Sequence, residues 1–354
     1  MTRKKVAIAI SGGVDSSAAA WLLREDGHDV VGVTMCLGIP TVEDGPVKCC
    51  GPKEIEDARR VCQMLGIPHY VLDFAGDLED KVIRPFIAEY LQGRTPNPCV
   101  ECNRAIKFGT LLHKVRAMGF EYLATGHYAR VDHDHVPSRL CIPRDTRKDQ
   151  TYFLYAMSKE DLRHVLFPLA DYRKDEVRKL AATAQLPTSE KPDSQDICFI
   201  PEEGIEPFIK GRAGEKIHPG DIMNREGRVL GRHRGLPFYT IGQRGGLGIS
   251  NPVPIYVLAL DVTGNRLIVG EKHEVRATGL IADRLNLLVD RPPERATAKI
   301  RYAHRAAPCD VKWEDTSLTV HFDQPQDAIT PGQSVVVYEG NVVVGGGIIR
   351  EAIK

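Results

Sequence analysis

The strongest indication of the fold is the stretch Val6-Ala7-Ile8-Ala9-Ile10-Ser11-Gly12-Gly13-Val14-Asp15-Ser16-Ser17. Its first five residues are apolar, as in a buried strand, and a helical pattern follows as far as Glu25. Between them, glycines let the backbone approach an anion closely, serines offer hydroxyl donors, and a helix N-terminus adds N–H groups and a positive dipole end. The stretch therefore predicts a pyrophosphate cradle; the alternative is a plain turn capped by Ser or Asp.

Two other phosphate-binding motifs lack their residues in this sequence. It contains no Gly-x-x-x-x-Gly-Lys-Ser/Thr segment and no Gly-x-Gly-x-x-Gly after a predicted strand. The sequence therefore favours neither a P-loop nor a dinucleotide-binding turn.

The pattern around the cradle predicts an α/β domain. Short β-rich runs alternate with helical segments through the first 200 residues, which is typical of parallel βαβ units. We expect strands at 30–35, 69–74 and 122–125, and helices at 53–65, 78–91 and 100–118. These elements indicate a doubly wound, mostly parallel sheet.

The second half of the chain has a different pattern. After about Pro201 it becomes rich in Gly and Pro, with alternating segments and no long helices, which indicates small β domains. We predict an α/β domain at 1–205, a small β-rich domain at 206–272 and a C-terminal β-barrel at 273–354.

Length and composition agree with a modular protein of the cytoplasm. The chain has 354 residues, 42% of them hydrophobic, and a formal net charge of +0. No run approaches the roughly 20 apolar residues that span a bilayer, so we expect no membrane association. Nine cysteines are too sparse for a disulfide scaffold. Because the global charge is zero, any nucleic-acid surface must come from local basic clusters.

Two such clusters stand in the C-terminal half. Five arginines accompany a single acid between residues 225 and 244, and a shorter run covers Lys299, Arg301, His304 and Arg305. Each cluster alone is explained as well by a solvated loop. The five arginines are Arg225, Arg228, Arg232, Arg234 and Arg244.

Three cysteines form a candidate chemical site. Cys99 and Cys102 lie three residues apart at the start of a predicted helix, where the N-terminus lowers thiol pKa values, and Cys198 follows far along the chain. The alternative is that they are buried apolar residues, as we expect for Cys36, Cys62, Cys141 and Cys309. Cys49-Cys50 is expected to be structural, because adjacent side chains rarely converge on one ion.

The order of these and further motifs resembles that of the bacterial tRNA-specific 2-thiouridylases, members of the PP-loop, or N-type, ATP pyrophosphatase superfamily. The resemblance covers nearly the whole chain. The motifs, after the loop at 11–17, are Asn97-Pro98-x-x-x-Cys102-Asn103, Ala124-Thr125-Gly126-His127-Tyr128-Ala129-Arg130, Lys148-Asp149-Gln150-Thr151-Tyr152-Phe153-Leu154, Ser194-Gln195-Asp196-Ile197-Cys198-Phe199, Gly235-Leu236-Pro237-Phe238-Tyr239-Thr240-Ile241-Gly242-Gln243-Arg244 and Ile300-Arg301-Tyr302.

The resemblance implies a two-step reaction. ATP adenylates the oxygen at C2 of the wobble uridine in tRNAs for Lys, Glu and Gln, sulfur replaces that oxygen, and AMP and pyrophosphate are released. It also implies Mg²⁺ as a cofactor and the anticodon stem-loop of tRNA as a partner. The sulfur comes from a donor such as a cysteine desulfurase or a sulfur-relay protein.

The resemblance also assigns residues. Cys198 carries the persulfide and Cys102 is its partner thiol; Asp15 fits either a Mg²⁺ ligand or a helix cap. The residues implied to hold ATP are Ala9, Ile10, Ser11, Gly12, Gly13, Val14, Asp15, Ser16, Met35 and Gly126. Those implied to contact tRNA are Asn97, Pro98, Cys99, Lys148, Asp149, Gln150, Arg301, Tyr302 and Gln333. His127 follows a predicted strand end beside Gly126 and is a further candidate for contact with tRNA or phosphate.

Cys99 departs from the commoner family pattern, which has Asp at this position. A thiol is a poor substitute for a carboxylic acid but a good soft metal ligand. Cys99, Cys102 and Cys198 could therefore hold three irons of a [4Fe-4S] cluster, as is known among related thiolation enzymes. The sequence leaves the cluster route and the persulfide route open.

Two other functions compete with this hypothesis. A PP-loop ligase that forms an amide or amidine on a small molecule would share the loop, but no glutaminase segment is recognisable. A noncatalytic tRNA-binding module would not need the intact loop.

Overall fold

The computed structural model describes residues 3–39, 51–193 and 196–354. Two compact units divide the chain: one is formed within Met1–Val82, Cys99–Phe199 and Asn341–Val343, the other within Ile83–Pro98, Ile200–Gly340 and Val344–Lys354. The predictions for Cys49, Cys50, Ser194 and Gln195 lie outside the described residues.

A parallel sheet forms the centre of the first unit, as predicted. Its strand order is β3-β2-β1-β4-β7, and all four pairings are parallel, so that the carboxyl ends of its strands lie at one edge. A hairpin, β5–β6, belongs to the same unit. The strands are β1 (Lys5–Ala9), β2 (Asp29–Cys36), β3 (His69–Asp73), β4 (Tyr122–Thr125), β5 (Arg130–Asp132), β6 (Arg139–Cys141) and β7 (Val165–Leu166).

Helices follow the strands of this sheet. Val6, Ala7 and Ile8 of β1 are fully buried, and Val6 and Ile8 share one core with residues of the first two helices and the eighth. The α-helices of the described residues are α1 (Val14–Glu25), α2 (Pro52–Leu65), α3 (Ala75–Leu78), α4 (Arg84–Leu91), α5 (Pro98–Glu101), α6 (Leu112–Ala117), α7 (Lys159–Leu162), α8 (Lys174–Thr183) and α9 (Ile205–Ala213).

Two predicted helices contain π-helical segments. The helix expected at 78–91 consists of α3, a π-helix at Glu79–Ile83 and α4, and that expected at 100–118 consists of α5, a π-helix at Cys102–Leu111 and α6. In the second, the Thr110 hydroxyl donates to the Ala105 carbonyl five residues earlier, at 3.2 Å. Wider turns of this kind cannot be read from a 3.6-residue period.

The second unit contains two β structures. Its four-stranded sheet has the order β10-β11-β8-β9, formed by β8 (Gly220–Met223), β9 (Val229–His233), β10 (Ile255–Asp261) and β11 (Arg266–Glu271). Helix α9 precedes this sheet, and the sequence pattern did not predict it.

Six further strands form a closed barrel, as predicted. They follow the order β12-β15-β14-β13-β16-β17, and pairing of β12 with β17 closes the ring. Closure leaves no unpaired edge. The strands are β12 (Arg276–Leu287), β13 (Arg295–Lys299), β14 (Ala307–Trp313), β15 (Leu318–Asp327), β16 (Ser334–Glu339) and β17 (Val342–Ile353).

Candidate active site

The loop between β1 and α1 has the geometry that its glycines predict. Gly12 has a φ of +72°, and a Cβ at this position would lie 2.5 Å from the carbonyl oxygen of Glu54 in α2. Only glycine fits both the backbone conformation and this close approach. Gly13 is the N-cap of α1, and because it has no side chain, the N–H groups of the first turn remain available to an anion.

The serines of the loop order its backbone. The Ser11 amide donates to Ser16 Oγ at 3.1 Å. The hydroxyls of Ser16 and Ser17 both donate to the Gly13 carbonyl, at 3.1 and 2.9 Å. The loop is therefore held in shape by its own side chains.

Gly126 brings the end of β4 against the start of α1. A Cβ at Gly126 would lie 2.7 Å from the Ser16 amide nitrogen and 2.8 Å from the carbonyl carbon of Asp15. Both are backbone atoms, which cannot move aside as a flexible side chain can. The predicted nucleotide residue Gly126 thus lies directly beside the phosphate loop, whereas Met35 is partly exposed in the neighbouring β2.

Asp15 makes an ion pair instead of capping the helix. Lys174 Nζ lies 2.7 Å from both carboxylate oxygens of Asp15, and the Tyr128 hydroxyl donates to Oδ1 at 2.8 Å. Burial and the Asp15 carboxylate raise the pKa of Tyr128 far above its usual range, so the phenol keeps its proton. The carboxylate accepts three hydrogen bonds, and its Mg²⁺ role stays a prediction.

A second carboxylate shares the same ammonium group. Asp193 lies 2.8 Å from Lys174 Nζ, 3.0 Å from Lys148 Nζ and 2.7 Å from Arg178 Nη2. Burial raises the pKa of Asp193, but hydrogen bonds from Lys174 and Lys148 outweigh burial and lower it to about 2. Lys148, which was assigned to tRNA, therefore has an internal partner; its tRNA contact stays a prediction.

A lysine also supports the loop from outside. Lys191 Nζ lies 3.1 Å from the Gly12 carbonyl oxygen and 2.7 Å from Asp57 Oδ2. This ammonium group links the phosphate loop to helix α2, which contains Asp57.

Asp149 and Gln150 make hydrogen bonds within their own region. Asp149, 4% exposed, accepts bonds from the amide and hydroxyl of Thr151, at 3.0 and 2.6 Å. Gln150 Oε1 accepts a bond from the Tyr128 amide at 2.8 Å. These bonds support the segment that holds Tyr128 on Asp15, and the tRNA assignments of both residues stay predictions.

His127 is packed as a neutral ring. Its Nδ1 lies 2.7 Å from Thr125 Oγ1, and its ring centroid lies about 6 Å from those of Phe108 and Phe167. Burial, and secondarily the charge of Lys107, holds the pKa of His127 well below its usual range. An uncharged imidazole offers an RNA phosphate no ionic attraction, so the predicted tRNA contact of His127 would have to be uncharged.

The three candidate cysteines are all partly exposed in the first unit. Cys99 lies in α5, and Cys102 begins the π-helix that follows. Thiolates bind a metal at about 2.3 Å, so cluster ligands must converge closely. Among residues 3–39, 51–193 and 196–354, no three Cys, His, Asp or Glu side chains are placed to hold a metal ion. Of the two routes that the sequence leaves open, the [4Fe-4S] site at Cys99, Cys102 and Cys198 is therefore not formed among the residues that the structure describes.

The remaining described cysteines are mostly core residues, as expected. Cys62, Cys141 and Cys309 are buried. Burial raises the pKa of Cys62 to about 11 and that of Cys309 to about 12, which leaves both as unreactive thiols. The prediction of a buried Cys36 is wrong, because this residue ends β2 at the exposed edge and is only half-buried.

Residues 94 and 95, which precede the cysteine pair in the sequence, are held by hydrogen bonds within the second unit. The Thr95 amide donates to the Pro331 carbonyl at 2.8 Å, and Gln333 Nε2 donates to the Thr95 carbonyl at 2.9 Å. Arg94 Nε also lies 2.6 Å from Glu89 Oε2. Gln333, assigned to tRNA, thus fixes the backbone two residues before Asn97.

The predicted basic surface is only partly available for RNA. Arg225 and Arg234 pair with Glu274 and Glu206, at 3.2 and 3.0 Å. Arg228, Arg232 and Arg244 are exposed. On the barrel, Arg301 Nη1 donates to the Asp327 carbonyl at 3.0 Å, and Tyr302 is 39% exposed.

Sequence reasoning missed Lys174, Tyr128, Asp193 and Lys191. Tyr128 and Asp193 lie in or beside quoted motifs, which offered a signal. Lys174 had none, because it begins an ordinary amphipathic helix 159 residues from its partner Asp15.

The parallel sheet and its phosphate loop are typical of an α/β nucleotide-binding domain, and two β modules follow it in the chain. Models of three families match the chain in order. The tRNA methyl transferase HUP domain matches residues 4–202, the tRNA methyl transferase PRC-barrel domain matches 206–271, and the aminomethyltransferase beta-barrel domain matches 277–349.

Curated relatives give the particular family. The tRNA-specific 2-thiouridylase MnmA 1 of Syntrophus aciditrophicus is 54% identical, with 99% of this chain and 94% of the relative aligned. The MnmA of Moorella thermoacetica is 50% identical, with 98% and 99% aligned. The chain belongs to the tRNA-specific 2-thiouridylase family.

One solved structure aligns with part of the chain at low similarity. The NMN synthetase of Francisella tularensis aligns with 54% of this chain and 67% of its own at 17% identity, with a TM-score of 0.35. A likeness this low carries no functional conclusion.

Within the described residues, no helix is both long and apolar enough to cross a membrane.

Proposed function

We propose that this chain is an ATP-dependent tRNA-uridine 2-sulfurtransferase that forms 2-thiouridine at the wobble position of tRNAs for Lys, Glu and Gln. One structural observation carries the ATP step: the loop at 11–17 is preformed at the carboxyl edge of the sheet, with a lysine held at its first helical turn. This edge is where open α/β sheets bind ligands.

The first step is adenylation. The C2 oxygen of uridine attacks the α-phosphorus of ATP, the bond to the β-phosphate oxygen breaks, and pyrophosphate leaves with the electron pair. Glycine backbone and the N–H groups at the start of α1 would hold the phosphates. When bound, Mg²⁺ supplies charge neutralisation of the phosphates. The carboxylate of Asp15 would be the residue of the loop that contributes to its site.

The second step is sulfur transfer, for which we propose the persulfide route. The terminal sulfur of a Cys198 persulfide attacks C2, and AMP leaves. The Cys102 thiolate then attacks Cys198 Sγ, which releases 2-thiouridine and leaves a Cys102–Cys198 disulfide. An external thiol reductant and a desulfurase or relay protein restore the starting state.

Several further assignments belong to this proposal. The chain works in the cytoplasm, where reduced thiols and tRNA occur together. It divides functionally into 1–205, 206–272 and 273–354, and the family-model ranges support these divisions. The tRNA contacts are those named from the resemblance, with Asn97, Pro98 and Cys99 at the target base.

The test is ATP-dependent transfer of radiolabelled sulfur to unmodified tRNA. We expect Cys198→Ser and Cys102→Ser to lose sulfur transfer by at least about 100-fold while they still form AMP and pyrophosphate. Cys36→Ser is the matched control and should retain activity. Full sulfur transfer by Cys198→Ser would contradict the assigned role.

A single-turnover experiment separates the two sulfur routes. Enzyme preloaded with persulfide should thiolate about one tRNA per protein in the presence of an iron chelator. Loss of that turnover, together with stoichiometric iron after anaerobic purification, would contradict the persulfide route.

A further inference from the structure

The phosphate loop has no cation of its own. Residues 11–17 contain no Lys, Arg or His, yet the predicted leaving group is pyrophosphate, which carries several negative charges. A helix N-terminus contributes only about half an elementary charge. Besides bound Mg²⁺, a cationic side chain from elsewhere in the chain can supply part of the remaining charge.

Lys174 is the cation that the fold brings to this loop. It is 8% exposed and begins helix α8, and its Nζ lies 2.7 Å from both Asp15 oxygens. Asp15 is the second residue of helix α1, so Lys174 lies one side chain from the first helical turn. Burying a lysine is costly unless its charge is used or compensated.

The surrounding charges leave the position positive. Lys174 and its neighbours Lys148 and Arg178 face two carboxylates, those of Asp15 and Asp193. A third carboxylate, Asp145, accepts a bond from the Lys174 amide at 3.0 Å and lies 3.5 Å from Arg147. Four cations against three anions give an excess of one positive charge. Simple neutralisation of Asp15 would not require this excess.

We propose that Lys174 is the pyrophosphate-binding residue of this enzyme, held in place by Asp15 and Asp193. Its ammonium group would offset the charge that develops on the β-phosphate oxygen when the α–β bond breaks. This assignment rests on the proposed function, since it names the group that receives the leaving pyrophosphate. It gives Lys174 no contact with the adenosine or with the α-phosphate of AMP.

Binding of inorganic pyrophosphate and of AMP, each measured by calorimetry on the full chain, tests the assignment. Lys174→Met should weaken pyrophosphate binding by about 10- to 100-fold, which is the range for a lost charge-assisted hydrogen bond, and leave AMP binding within about threefold. Lys179→Met, an exposed lysine on the same helix, is the matched control and should change neither affinity.

Lys191→Met shows what a structural effect looks like. Because Lys191 holds the Gly12 carbonyl, its loss should weaken both ligands together. The same parallel loss in Lys174→Met, or an unchanged pyrophosphate affinity, would overturn the assignment. A selective loss supports it even if the chain proves unable to thiolate tRNA.

A double variant tests the assignment without leaving a buried carboxylate unpaired. Asp15→Asn with Lys174→Met removes both partners, so that no charge is left unpaired, and Asp193 keeps Lys148 and Arg178. Selective loss of pyrophosphate binding in this folded variant relative to Asp15→Asn supports the proposal. Equal pyrophosphate affinity in the two variants would overturn it.

Discussion

Gly126 follows β4 and lies against the first turn of helix α1, at the carboxyl edge of the sheet. We expect Gly126→Ala to destabilise the protein by about 1–3 kcal/mol, because the new methyl group would press on the backbone of Asp15 and Ser16. ATP affinity should fall at least about tenfold, since the first turn of α1 must shift. Thermal unfolding and calorimetric titration measure the two effects.

Gly76→Ala is the control for that substitution. Gly76 lies in the short helix α3 of the same unit, and a Cβ there meets nothing within 4 Å. Alanine at this position should be neutral or slightly stabilising, with ATP affinity unchanged. If Gly126→Ala behaved in the same way, the close approach would not constrain the loop.

Asp15 shows how far a residue's role depends on its neighbours. From sequence, it fits a Mg²⁺ ligand or a helix cap equally well. In the structure Gly13 is the N-cap, and Asp15 instead binds Lys174 and Tyr128. Only the placement of two distant side chains distinguishes this third role.

Among the secondary-structure elements, helix α8 is linked to the segment that follows it, because Asp193 of that segment forms ion pairs with Lys174 and Arg178 of the helix. Its pKa of about 2 lies below the ordinary value of 3.8, so its ion pairs contribute stability above about pH 4 and lose it as the pH falls toward 2. We expect Asp193→Asn to lower the free energy of unfolding by about 1–2 kcal/mol at pH 7, after allowance for solvent screening. The difference from the parent should shrink to about half at pH 3.

Urea unfolding at pH 7, 4 and 3 measures that difference. Asp171→Asn provides the comparison, since Asp171 has a 68% exposed side chain and pairs with Arg130 at the surface. Its effect should stay within about 0.5 kcal/mol at each pH. A constant Asp193→Asn deficit from pH 7 to pH 3 would show that charge is not the cause.

For the whole molecule, zero net charge means that tRNA binding must depend on local arginines. Arg228, Arg232 and Arg244 are exposed in the 206–272 region. If each neutralises one RNA phosphate, each change to Ala should reduce the slope of log K against log salt by about 0.7–0.9. Filter binding of unmodified tRNA at KCl concentrations from about 50 to about 200 mM measures the slope.

An arginine that is already neutralised serves as the control. Arg295 of the barrel pairs with Asp310 and Asp323. Arg295→Ala should therefore leave the slope unchanged. Equal slopes for the parent and the three arginine variants would place the tRNA surface elsewhere.

The phosphate loop, the parallel sheet, the closed β-barrel and the motifs of the family could all be predicted from the sequence. These features rest on local patterns: an apolar run, two glycines at a turn, and alternation along strands. Strand β4 was predicted at its observed bounds for the same reason. Patterns of short range predicted neither the π-helical turns nor helix α9.

The side chains that surround the loop could not be predicted from the sequence, because they come from distant parts of the chain. The strand order places β4 beside β1, although 113 residues separate Tyr128 from Asp15, and α8 brings Lys174 from 159 residues away. Such charges meet because the sheet and the packing of its helices bring them together. Local periodicity reports which face of an element is buried, and it contains no information on which distant partner that face will meet.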